Sequence, residues 1–211
     1  MSSSTEKPSE LVTIALEWVY DNATSGSIEL AESYRLKCAG DSEQGIADLV
    51  HSHVRYAAFV GFMTNFGGIL NAPIAAPLNL SSVIVIQVRM IAAIAHLRGY
   101  ALHDRKVKTL VFICLTGSSA VALLQELGYS IGKKLSADAV SHGSRVSIRK
   151  FNNVLGRYLA IRYGTHKGFA RATPVVGGIV GGAIDASMTY GIGVTAKAIF
   201  KPQPCSVSSI A

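Results

Sequence analysis

The chain has 211 residues, of which 49% are hydrophobic and 16% charged, with a formal net charge of +7. One medium domain, or at most two small ones, fits that length, and a charge content well below the usual quarter points to membrane contact or an unusually apolar helical core. Three widely spaced cysteines, Cys38, Cys114 and Cys205, exclude a disulfide framework and a CxxC metal site.

Residues 1–8 and 201–211 are expected to be disordered tails around a helical domain spanning 9–200. The opening MSSSTEKPSE lacks the basic-then-apolar pattern of a cleaved signal, so a cytoplasmic chain is expected. Leu11, Ile14, Ala15, Trp18 and Val19 recur at helical spacing and predict a helix over 9–21. Asn22 to Ser27 predicts a turn, with Ser27 capping a helix over 28–39. Asp41 and Gln44 open a long helix that Gly67-Gly68 should end.

Pro73 and Pro77 then predict a break. The next helix is expected to start at Ser81 or Ser82 and to stop at Gly99. His103-Asp104 reads as a turn in which the aspartate caps a helix over 107–127, closed by Gly128. Residues 136–170 are more polar, and Pro174 opens a last, glycine-rich helix. Strand signals are few. The expectation is an all-α fold, a single compact domain of about six to eight helices with a Gly/Pro-broken apolar hairpin.

The window between Arg55 and Arg89 holds no charged residue. A helix from Ser82 to Leu97 is nevertheless only about 24 Å long, short of a ~30 Å hydrocarbon core. Arg89 at its middle costs at least ~2.5 kcal/mol in lipid. Gly117-Ser118-Ser119 weakens the helix over 107–127 as a span, and Asp185 sits at the centre of the last helix. A membrane-peripheral globule is therefore expected, with a re-entrant insertion as the alternative.

Charge is unevenly spread. Residues 1–100 carry six Lys/Arg against nine Asp/Glu, a net −3, whereas residues 101–211 carry fourteen against four, a net +10. Arg145, Arg149, Lys150, Arg157, Arg162, Lys167 and Arg171 follow one another without an intervening acid. Such a block attracts phosphate on anionic lipid or nucleic acid. Aromatics within it are few (Phe151, Tyr158, Tyr163, Phe169), which favours lipid over nucleic acid.

The order of a Trp-Val-Tyr helix, AESY, GFMTNFGG, a P-x-x-x-P-x-x-L turn, IVIQVRMIAAIAHLRGY, TGSSA and PVVGGIVGGAIDASMT resembles the EcsC family over roughly residues 9–200. Members are bacterial proteins often encoded beside components of an ABC exporter. The resemblance implies a helical domain and a link to a membrane transporter, and no established chemistry. Asn79 departs from the acidic residue expected after the second proline, which removes a charge from that turn.

A helix apolar on all sides is normally buried, so Arg89 should need a partner. Asp185 is the expected one, at a close helix crossing allowed by the interleaved G-x-x-x-G spacings of Gly177, Gly178, Gly181 and Gly182. Gln87 and His96 would complete the network. No G-x-S-x-G, HExxH or CxxC is present. Residues 128–134 fall short of a phosphate loop, and His51 and His53 point to different helix faces, so no cofactor or metal is expected. The reading is a non-enzymatic accessory protein at the inner membrane face. It would use the basic segment on anionic lipid, the apolar 59–80 turn as a shallow anchor, and an ABC-type transporter as partner. The alternative is a hydrolase or ligand-binding protein with a site near Arg89, His96 and Asp185.

Overall fold

The computed structural model describes residues 17–66, 72–126, 154 and 174–203, with the side chains of Asn65, 72–81, Leu124 and Pro174 excepted. The described residues are helical throughout, joined by turns and short loops. Residues 17–24 form α1, Ser27–Lys37 α2, Ser42–Phe66 α3, Ala72–Leu97 α4, Arg105–Cys114 α5, Ala120–Glu126 α6 and Pro174–Ile199 α7. The fold is all-α, as the pattern of apolar residues predicts.

Capping chemistry sets several boundaries. Asp41 Oδ1 accepts from the amides of Glu43 at 2.9 Å and Gln44 at 3.1 Å and so starts α3. Asp104 starts α5 by accepting from the Lys106 amide at 2.8 Å. Ser27 is not a cap. Gly26, with φ +74°, takes that position, and the Ser27 hydroxyl donates back to the Ala23 carbonyl at 2.9 Å.

Two boundaries differ from the sequence-based expectation. α4 starts ten residues early and runs through both prolines. Pro73 lies in the first turn, where amides lack helical partners anyway, and Pro77 removes only the bond to the Pro73 carbonyl. The helix expected over 107–127 breaks instead: Gly117 has φ +56°, a 3-10 turn spans Gly117–Ser119, and the flanking segments are bent by 118°.

α3 and α7 form the central pair, with α4 against α3, α2 and α7. Val50 meets Gly193, Ala58 meets Gly182 and Phe62 meets Gly178, so the two helices run antiparallel. Leu49, Ile91, Ile94, Ile113, Ile192 and Phe200 are fully buried around their inner half, each contributing about 1.5–3 kcal/mol. The Tyr20 hydroxyl donates to the Leu102 carbonyl at 2.6 Å and ties α1 to the α4–α5 loop. Burial pushes that phenol up to about 12, with Asp21 and Glu17 adding to the shift.

Candidate functional site

Gln87, Arg89, His96 and Asp185 do not form one network. Gln87 is fully buried and donates to the Thr189 hydroxyl at 3.0 Å, a polar tie between α4 and α7. Arg89 is exposed. Its Nη2 lies over the backbone of Gly26, 2.7 Å from where a Cβ there would sit. His96 Nε2 is 3.2 Å from Glu32 Oε1 on α2. The Asp185 carboxylate is packed on Gly61 of α3.

The Arg89–Asp185 pair is therefore corrected. Arg89 sits beside Gly26 and within electrostatic reach of His53, whereas Asp185 meets α3 eight residues beyond His53, about 12 Å along the axis. The physical reason is that α4 is not buried on every side. Ser82 and Arg89 are exposed and His96 half-buried, so the line they share is the open one and water solvates the guanidinium. The opposite line carries the buried polar groups, Gln87 and Arg98.

Arg98 is the buried cation that the sequence reading missed. Its side chain is 7% exposed and ion-paired with Glu43 at the start of α3, and its carbonyl accepts from the Gln203 amide at 3.1 Å. The signal was available: Arg98 shares the Gln87 face, three turns on. Glu32 bridges Arg35 and His96. The hydrogen bond from Arg35 holds its carboxyl below the ordinary range against an opposing desolvation, and His96 adds to the lowering.

His53, 9% exposed, aims Nδ1 at the Leu49 carbonyl, 2.9 Å away. Burial holds the imidazole below its ordinary value, and the Arg89 charge acts in the same direction against the backbone bond. The neutral Nδ1–H tautomer fits that contact. No group of three His, Cys, Asp or Glu side chains converges among the described residues.

The G-x-x-x-G spacing works as a close-approach surface, but against α3. A Cβ on Gly182 would stand 2.6 Å from the Ala58 carbonyl oxygen, one on Gly178 3.0 Å from the Phe62 ring, and one on Gly61 would overlap Asp185. Backbone therefore meets backbone along the outer half of the pair.

That outer half leaves an apolar face open to water. On α3 the exposed line begins polar, with Gln44, Asp48, His51 and Arg55, and then turns apolar with Tyr56, Phe59, Met63 and Phe66. Phe59 is 59% exposed and Met63 54%. On α7 the exposed line reads Val175, Ile179, Ala183, Ser187, Tyr190 and Val194. By length and composition α7 is long and apolar enough to cross a membrane. The bases from Arg145 to Arg171 lie outside the described residues.

Neither a curated protein nor a solved structure matches the chain. A family model does, over residues 9–202. With the helical fold and the matched stretch covering nearly all of its length, the chain belongs to the EcsC protein family.

Proposed function

We propose that the chain is a non-enzymatic protein bound to the inner face of the cell membrane, serving there as an accessory to an ABC-type exporter. One observation carries the membrane reading: the open apolar face on α3 and α7, where Phe59, Met63 and Ile179 are each more than half exposed. Contiguous apolar surface of this kind marks a site that is covered in use. The seven bases between Ser141 and Arg171 precede α7 directly in the chain, and each Lys or Arg near an anionic surface contributes about 1 kcal/mol. The transporter part rests on the family, whose members are often encoded beside exporter components.

Vesicle flotation tests the membrane reading. The protein should rise with vesicles containing acidic phospholipid at low salt, and added salt should release part of it. Phe59→Ser with Ile179→Ser should lower the floating fraction several-fold without lowering Tm, since both side chains face water in the folded protein. Failure to float at low salt removes the reading. Capture of exporter subunits from detergent-solubilised membranes tests the partner separately.

A further inference from the structure

We infer that the outer half of the α3–α7 pair docks obliquely into one leaflet of an anionic phospholipid bilayer, with Tyr56 and Tyr190 at the headgroup level. This inference rests on the membrane reading above and adds its surface, its depth and its limit.

The boundary is written on α3. Along one exposed line the residues are polar or charged up to Arg55 and apolar from Tyr56 to Phe66. Core packing cannot account for that switch, because both halves of the line face solvent. Tyr190 stands about one to two turns nearer the inner half on α7, since Val50 meets Gly193 and Ala58 meets Gly182 on the antiparallel partner, so a boundary through both tyrosines crosses the pair obliquely. Tyrosine, with an apolar ring and a polar tip, favours the membrane–water boundary. Beyond this level α3 carries no charge, and α7 carries only Asp185, which is turned against Gly61.

The two open lines belong to one surface. At 100° per residue each lies roughly 140° round its helix from the contact with the other. The sense of rotation places both on the same side of an antiparallel pair. The result is a two-helix slab with one apolar side.

Depth follows from length. Tyr56 to Phe66 spans ten residue steps, about 15 Å of helix, so an oblique approach keeps this part of α3 within half of a ~30 Å hydrocarbon core. α7 does not continue across, because its inner half is built into the core. Thr189, Ile192, Ala196 and Ile199 are fully buried there, and Gln87 holds Thr189. Charge selects the lipid. The seven bases between Ser141 and Arg171 precede α7 in the chain with no acid among them, and such a block favours an anionic lipid surface.

The chain has one tryptophan, Trp18, which is exposed, so Trp18→Phe gives a silent background for single reporters. Tryptophan placed at Phe59, Met63, Phe66 or Ile179 should be quenched by acidic vesicles whose lipids carry bromine high on the acyl chains. Reporters at Gln44 and His51 should not be. Each variant is first checked for unchanged Tm. Flotation without quenching at the four outer sites, or with quenching at Gln44 and His51, overturns the docking geometry and leaves the membrane reading standing. Stronger quenching by bromine near the chain ends shows a span and also overturns it. A lipid-free response that grows with protein concentration assigns the face to a second copy. Failure to float removes both statements.

Discussion

Buried hydrogen-bonding groups decide which single side chains matter for stability. Gln87 and Thr189 are both fully buried and bonded to each other. Gln87→Leu leaves the threonine hydroxyl without that partner, and a loss of about 1–3 kcal/mol is expected in urea unfolding. Adding Thr189→Val should recover part of it, because a matched apolar pair strands no polar group. His53 carries a pH dependence. Its folded pKa lies below the ordinary 6.5, so its stabilising contribution is complete above that value and fades as pH falls through the folded value. Urea midpoints from about pH 8 to pH 5 should fall more steeply for the native chain than for His53→Gln. At this scale the sequence was half legible. The polar residues of α4 stand out in an apolar run, but one Arg on such a helix does not say which side is wet. That depends on the gap left over Gly26 by α2, which no local pattern encodes.

Helix ends followed capping chemistry where a side chain did the capping. Asp41, Asp104 and Pro174 were readable because each satisfies, or does without, a terminal amide. Pro73 and Pro77 misled, since prolines in the first two turns of a helix and prolines in a break look alike in sequence. The glycines of α7 were legible as a contact surface while the partner was not, because a G-x-x-x-G stripe fixes how near a helix comes and not which one. A paired substitution separates the two roles of helical glycine. Gly182→Ala places a Cβ 2.6 Å from a backbone oxygen that has no flexible end to yield, and a loss of about 1–3 kcal/mol is expected from overpacking. Gly191→Ala meets nothing within 4 Å and should gain up to about 1 kcal/mol from helix propensity alone. Thermal melts of the two variants should shift in opposite directions.

For the molecule as a whole, the open apolar face was only partly available from sequence. Phe59 and Met63 fall within the apolar 59–80 stretch expected to anchor, but Ile179 has the spacing and side-chain type of a core residue, so periodicity marks it as buried until the fold leaves it uncovered. The electrostatic asymmetry, in contrast, is plain from the chain itself, with −3 in the first 100 residues and +10 in the rest. Binding to acidic vesicles should therefore weaken steeply with ionic strength, while binding to neutral vesicles should be weak and nearly independent of salt; co-sedimentation across a salt series distinguishes the two. The glycine contact between α3 and α7 has a mechanical meaning as well. Most helix pairs are separated by a layer of side chains that can shear. Here the outer half has backbone against backbone and the inner half is locked by Gly193 under Val50, so the pair behaves as one stiff beam clamped at its base. In the proposed docking, tilt or thinning of the leaflet would not be absorbed by sliding. It would become torque at the clamp, where the Gln87–Thr189 bond ties α7 to α4.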